Sequence, residues 1–450
     1  MSSGAKTTGT KAAAVPGQSP LVAALRSALQ HDTRIKAWQM GHARRAGFQT
    51  YLVKTQLETE RRTEGESVAA TVFVANGDRV GSAGLTLVPG DEGGVARRLE
   101  EAVYMAGLGG DQPWTLPAAG EMPRVDAFDP ALAGDRARET SKALADAWRT
   151  EAAAHKGVRP SSMELFCGEE WTTLENSAGL VAHWSATRVS LLTLVLADGG
   201  KPSERLSWDE RRRVADLDVR GIVRRTAEEA RDLTRAVVPP SGQYPVIIDA
   251  AEIAALLAPI QIHSSGDSLH QKSSRFEIGK PLPIEAKGGE PFTVISNAVA
   301  PFGLASYSFD GNGVPGRRVE IVKDGVFAGA WATKQQADYL KIAPTGGFSN
   351  WELPAGKTSF ADLTAGDGPV LYVRNFSWLT PDQARGNFGS EVRVGYLYEK
   401  GVRKPIKGGT VSGNVFAALG TARYSKETVF LGNYMGPAAV RFENLTVAGV

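Results

Sequence analysis

The sequence predicts an α+β chain of two domains, a mixed N-terminal α/β layer domain followed by a β-rich C-terminal domain. Three observations carry this. Up to about residue 238, segments with a helical apolar period alternate with segments of period two. Val238-Pro239-Pro240-Ser241-Gly242 then stops both patterns, because adjacent prolines remove two backbone donors and stiffen the chain. Beyond it, short β-branched and aromatic runs joined by Gly-containing turns dominate. A length of 450 residues also exceeds what one core ordinarily fills. The expected division is a disordered tail over 1–19, an α+β domain over 20–238 and a β-rich domain over 243–450.

Taken in order, Pro20 to Ala46 reads as a helix, with Leu21, Leu25 and Leu29 at spacing four. Phe48 to Pro89 has strand character. Tyr51 and Val53 alternate with polar neighbours, Ala70 to Ala75 is apolar and rich in β-branched residues, and Asn76-Gly77-Asp78 is a turn signal. Helices are predicted over Gly94 to Ala106 and Thr140 to His155, the latter with Leu144, Ala147, Trp148 and Ala152 on one side. Strands return from Ser162 to Leu196, broken at Glu175-Asn176-Ser177-Ala178-Gly179. Val219 to Leu233 has the apolar spacing of a helix lying on a sheet. In the second half, Val246 to Ile248 leads into a helix over Ala250 to Ile262 that Pro259 should kink. Asp324-Gly325 and Lys400-Gly401 each read as the turn of a hairpin.

With 51 Lys+Arg against 49 Asp+Glu, the net charge of +2 gives no field to steer the chain toward nucleic acid or anionic lipid. Neither partner is expected. The basic clusters Arg211-Arg212-Arg213 and Arg224-Arg225 lie beside acids and read as a solvated helix face. A single cysteine, Cys167, excludes an intramolecular disulfide and a cysteine zinc cluster, and its apolar neighbours suggest a buried thiol. No apolar run approaches the roughly 18 to 20 residues that cross a bilayer. The first twenty residues lack the apolar core of a secretion signal, so a cytoplasmic protein is expected.

Candidate chemistry is sparse. His263, Asp267 and His270 offer two imidazoles and a carboxylate, but a step of seven along a helix separates the rings by about 10 Å, so polar loop residues are the simpler reading. Asp310-Gly311-Asn312-Gly313 opens like a calcium loop and fails at Pro315 and Ile321, where glycine and glutamate belong; a tight turn fits better. Ala106-Gly107-Leu108-Gly109-Gly110 closes a helix where a phosphate cradle would open one. Ser177 lacks the nucleophile elbow, and Lys272 beside Ser273 would need a desolvated lysine to act as a base.

One order of motifs does stand out. It runs Lys272-Ser273-Ser274 with Phe276 and Gly279-Lys280, then Phe309-Asp310-Gly311-Asn312-Gly313 and Val322-Lys323-Asp324-Gly325. Ala337, Thr345-Gly346, Asn350-Trp351 and Lys407-Gly408-Gly409-Thr410-Val411-Ser412-Gly413-Asn414 follow, with Asn176-Ser177-Ala178-Gly179 as an upstream N-S-x-G turn. This series resembles the TldD/TldE (PmbA) peptidase family. In zinc-bearing TldD relatives a helix before the Ser-x-Phe segment carries HExxxH, whose histidines bind the metal and whose glutamate is suited to activating water. Counting back from Ser274 and Phe276 places that motif on Leu257, Ala258 and Ile262. A slip of one residue brings in His263 but puts Ala258 and Pro259 in the other places. The cysteine that such relatives carry near the C-terminus is also missing.

The resemblance therefore implies a TldD/PmbA-like fold and a TldE/PmbA-type subunit with no metal, no cofactor and no catalytic residue of its own. Its implied partner is a zinc-bearing TldD-type subunit, in a heterodimer or a higher assembly that processes or degrades unstructured peptides taken up as added strands. Ser273, Ser274, Asp310, Gly311, Asn350 and Trp351 are the candidate substrate groove or partner face, with Trp351 equally readable as core. The alternative is a TldE-like scaffold recruited as an enzyme of altered chemistry in peptide or small-molecule biosynthesis, using His263, Asp267, His270 or the Lys272-Ser273 pair.

Overall fold

The computed structural model describes residues 19–285, 287–366 and 368–450. The expected tail lies outside them except for Ser19, which precedes the first helix. Helix makes up 24 % and strand 41 %, an α+β chain. Two compact units emerge. Unit 1 holds the described residues up to Ala43 together with Glu66–Pro113 and Thr172–Ser177; unit 2 holds Arg44–Gly65, Trp114–Trp171 and Ala178–Val450.

Unit 1 is built from α1 (Pro20–His31), the first part of β1 (Ile35–Val53), the second part of β2 (Gln56–Asn76), β3 (Arg79–Leu87) and α2 (Val95–Leu108). Leu21, Leu25 and Leu29 are at most 2 % exposed and join Trp38, Met40, Val72 and Leu99 in one core. The β2–β3 hairpin pairs Asn76 with Arg79 through Val68 with Leu87, and Gly77 takes the positive φ of 63° that its turn requires. A Cβ on Gly81 would lie 1.7 Å from the Ala106 carbonyl, so only glycine lets α2 approach this strand. The Asn176-Ser177 turn is fastened to β1 at Trp38, whose amide donates to Ser177 Oγ while its carbonyl accepts from the Ser177 amide.

The helix expected over Pro20 to Ala46 ends at His31, and β1 follows. Burial alternates at Trp38 and Met40 and again at Thr50 and Leu52, and pairing within a sheet overrides the helix-favouring Met, Ala and Arg residues between them. In the later part of β1 the inward residues are Thr50 and Leu52 instead of Tyr51 and Val53, and Thr50 shares a hydrogen bond with Ser141.

In the N-terminal part of unit 2, α3 (Arg136–Ala153) precedes β4 (Val158–Asn176), β5 (Val181–Ala197), β6 (Ser203–Arg211) and α4 (Val219–Leu233). The strand order here is β2-β1-β4-β5-β6. Trp148, Leu165, Cys167, Val189, Leu191 and Ile222 form the core between helices and strands, and burial pushes the Cys167 thiol up to about 12. The Arg211-Arg212-Arg213 cluster is no helix face. It ends β6, and Arg212 is only 7 % exposed.

The C-terminal half begins with β7 (Gly242–Asp249), α5 (Ala250–Leu256), α6 (Ala258–His263) and α7 (Gly266–His270). Next come β8 (Val294–Asn297), β9 (Arg318–Lys323), β10 (Val326–Phe327), α8 (Lys334–Leu340), β11 (Asn350–Glu352), α9 (Phe360–Thr364) and β12 (Val370–Phe376). The remaining elements are β13 (Asn387–Glu399), β14 (Val402–Ile406), β15 (Thr410–Asn414), α10 (Val415–Leu419), β16 (Arg423–Tyr424), β17 (Thr428–Leu431), β18 (Tyr434–Pro437) and β19 (Ala439–Ala448). One sheet has the order β12-β7-β19-β15-β13-β14, and β12 also pairs with β13, so five of its strands close into a barrel. The other runs β10-β9-β8-β11-β18-β17. A large apolar cluster containing Val246, Phe276, Trp351, Phe416 and Phe442 fills most of this half, and Ile247, Leu363, Val370 and Ala439 form a second, small one. Both expected hairpins form, with positive φ at Asp324, Gly325, Lys400 and Gly401.

Candidate functional site

A helical corner positions most of the candidate residues. Asp249 closes β7 and caps α5 by accepting from the Ala251 amide at 3.0 Å. α5 stops at Leu256, and Pro259 opens α6 in the first turn, where its missing N–H costs nothing. Leu257, between the two, is 2 % exposed. It borders a residual cavity of about 10 Å³ lined by apolar groups and by Tyr424. The Tyr424 hydroxyl has no hydrogen-bond partner among the described residues, and burial, followed by the charge of Glu290, raises its pKa.

His263 at the end of α6 is a bracket. Its Nδ1 accepts from the Arg275 amide at 3.1 Å and its Nε2 donates to the Ala384 carbonyl at 3.0 Å, an arrangement that fits only the neutral Nε2–H tautomer. Burial lowers its pKa, the Ala384 carbonyl works in the opposite direction, and Arg275 lowers it further. Ser274 Oγ donates to the His263 carbonyl at 2.6 Å and accepts from the Phe276 amide at 2.9 Å, while the Phe276 ring lies 5.2 Å from the imidazole. These three residues fix the loop after α7.

Ser273, Asp267 and His270 are exposed. Ser273 Oγ donates to the Ser268 carbonyl, the Asp267 carboxylate accepts from Gln271, and the His270 ring lies 4.8 Å from Tyr339. The two histidines and the aspartate are thus not brought together. Among the described residues no group of three or more His, Cys, Asp or Glu is arranged to hold a metal ion.

The Asp310 loop is the expected tight turn. Asp310 Oδ1 accepts from the Asn312 and Val314 amides, each at 2.9 Å, and Gly311 stands exposed at its tip. Oδ2 is buried without a hydrogen bond among the described residues. Burial raises the carboxyl pKa against the pull of the Val314, Asn312, Gly347 and Gly313 amides. Asn350 is 0 % exposed and has its side chain committed to Ala305, Asn297 and Ser306. Trp351 is 2 % exposed in the main core, its ring 4.5 Å from Phe348. Neither Asn350 nor Trp351 presents a side chain to a ligand or partner, and the reason is burial.

Asp249 has a second role. Arg374 donates to its Oδ1 at 2.6 Å and to Glu229 Oε1 at 3.2 Å, Arg205 bonds the other Glu229 oxygen, and Tyr372 bonds the other Asp249 oxygen. This buried ionic chain joins α4 and β6 to β7 and β12. Every member is partnered, as buried charge requires.

A groove of about 580 Å³ was not anticipated from sequence. It crosses β2, β1, β4 and β5 within unit 2. Arg45, Glu64, Glu170 and Arg212 line it, with Phe48 and Phe166 giving it an apolar wall. Arg212 Nε donates to the Gly303 carbonyl at 2.8 Å and its Nη2 to Leu304 at 2.6 Å, and its guanidinium lies 5.1 Å from the Trp184 ring. Burial, with Arg188 nearby, lowers its pKa to about 10, although Glu170 acts the other way.

A model of the PmbA/TldA metallopeptidase C-terminal domain matches residues 241–449. A metalloprotease TldD homolog of Haemophilus influenzae is 25 % identical over 267 residues, 52 % of this chain and 55 % of that protein, so the chain spans little more than half of this relative. A Synechocystis metalloprotease is 26 % identical over 358 residues, 72 % of this chain and 73 % of that one. The fold matches TldE from Thermococcus kodakarensis with a TM-score of 0.81 at 19 % identity, over 95 % of this chain and 100 % of that one. Residues 241–449 thus match the C-terminal domain of the PmbA/TldA metallopeptidases, and the chain is similar to proteins of the TldD/TldE (PmbA) family.

The zinc that the resemblance associates with the family does not fit the residues at this corner. Leu257, Ala258 and Ile262 have no lone pair to offer, and Leu257 is part of the core. In the shifted frame His263 is the sole imidazole. Its Nδ1 lone pair is occupied by the Arg275 amide, and its Nε2 carries the proton given to Ala384.

Proposed function

We infer that this chain is a TldE/PmbA-type subunit without a metal of its own, working with a zinc-bearing TldD-type subunit to process or degrade unstructured peptides in the cytoplasm. One observation carries the reading: hydrocarbon stands where that family's metal-binding helix would need donors, and the nearest histidine has both ring nitrogens bound to backbone. The chain's own part is to hold surfaces and main-chain edges in place, because recognition of an unstructured peptide by strand addition uses backbone groups and tolerates sequence. The reading of an enzyme with altered chemistry draws no support from geometry. His263 is a buried bracket, and Asp267, His270 and Ser273 form no convergent set with it.

The test is metal analysis and peptide turnover on the purified chain, alone and co-expressed with a TldD-type subunit. The chain alone should carry no stoichiometric zinc and leave an unfolded casein substrate intact, and the co-expressed pair should cleave it. Stoichiometric zinc or turnover in the lone chain would overturn the assignment.

A further inference from the structure

The groove across β2, β1, β4 and β5 holds an imbalance in how its charges are partnered. Each carboxylate on its rim is engaged. Glu64 pairs with Arg62 at 2.7 Å, Glu170 with Arg45 at 3.0 Å, and Glu169 accepts from the Gly134 amide at 3.0 Å and the Trp171 indole at 3.1 Å. Arg212 differs: 7 % exposed, it rests on three backbone carbonyls and an indole face, and among the described residues it has no carboxylate partner. Its Nη1 makes no hydrogen bond among them. Arg188 lines the same groove, 56 % exposed at its side chain and paired only at 3.4 Å with Glu210. A nearly buried cation whose neighbour is a second cation is costly unless an anion completes the site.

We propose that this groove binds a carboxylate with an apolar body, its oxygens taken by the Arg212 and Arg188 guanidinium groups and its carbon chain lying along Phe48 and Phe166. A planar guanidinium matches a carboxylate in shape and charge. The three glutamates on the rim disfavour a dianion such as phosphate, so a single negative charge fits best. The carboxylate is supplied either by the free C-terminus of a peptide or by a small organic acid. The site stands apart from the peptide-processing assignment, because a small acid would still bind if that assignment failed.

Calorimetry on the full chain tests this with three probes: an acetylated Ala-Ala-Ala-Phe peptide with a free C-terminus, its C-terminal amide, and hexanoate. If the peptide is the source, the free acid binds at least about tenfold more tightly than the amide, the size of losing a hydrogen-bonded charge. Binding of hexanoate without a preference between the two peptides assigns the site to small acids. Arg212→Met is a poor probe because Arg212 also braces the loop at Gly303. Two other variants avoid that difficulty. Arg188→Gln should weaken the bound acid about fivefold or more. Gly65→Leu, at a lining position where a Cβ meets nothing within 4 Å, should fill the groove and abolish binding with melting unchanged. No binding of any probe at millimolar concentration, or binding that both variants leave untouched, would sink the proposal.

Discussion

The α5–α6 corner and the groove on the N-terminal sheet differ in how they treat polar groups. At the corner the candidate polar side chains are bonded or replaced by hydrocarbon: His263 is bound at both ring nitrogens, Ser274 is bonded on both sides, and Leu257 is core, with the Tyr424 hydroxyl as the exception. In the groove an arginine is buried without a carboxylate among the described residues. A region whose hydrogen-bonding groups are already committed has little left to offer a ligand. A region that carries an unmatched charge has affinity to spare. Family resemblance draws attention to the corner, whereas electrostatics draws it to the groove.

Substitutions can break this contrast. The largest effect should come from Trp351→Ala, about 3 to 5 kcal/mol of lost stability, read by urea denaturation; a loss under 1 kcal/mol would return Trp351 to the surface. Leu257→Ala should cost about 2 to 4 kcal/mol, and a neutral result would mean that the corner is open enough for a ligand after all. His263→Ala should cost about 2 kcal/mol, since it strands the Arg275 amide and the Ala384 carbonyl. His270→Ala, at an exposed ring, should stay within about 0.5 kcal/mol.

A pH series sharpens the same comparison. The folded pKa of His263 lies below its usual 6.5, so the unfolded chain takes up the proton first. Its contribution is therefore complete above the unfolded value and is lost as pH falls from about 6.5 through the lower folded pKa. Stability of the wild type should decline across that window more steeply than that of His263→Ala; parallel curves would show that His263 is not the buried neutral bracket. The smallest effect belongs to the groove, where Arg188→Gln should change stability by no more than about 0.5 kcal/mol while altering ligand binding.

Local chemistry made much of the fold legible. The Val219 to Leu233 helix needed only its apolar stripe, and the Asp324-Gly325 and Lys400-Gly401 turns only their tolerance of positive φ. β1 was lost because Met40, Ala43 and Arg44 favour helices in isolation, and its strand state depends on partners distant in sequence. The missing zinc donors at Leu257 and Ile262 were visible residue by residue. The burial of Asn350 was not, because it follows from acceptors and donors at Asn297, Ala305 and Ser306. Arg212 was misplaced for a similar reason: its environment is assembled from Trp184, Gly303 and Leu304, which no local pattern links.

The closure of β12 onto β13 limits where a guest chain can dock in the C-terminal half. A ring of strands has no free margin, and the β14 spur is already bonded to Val237 while β10 is bonded to Lys280 and Gly279. The outer side of β17 differs: Val429 and Phe430 pair only with β18 among the described residues. An unstructured polypeptide seeking main-chain company would find a margin four residues long there.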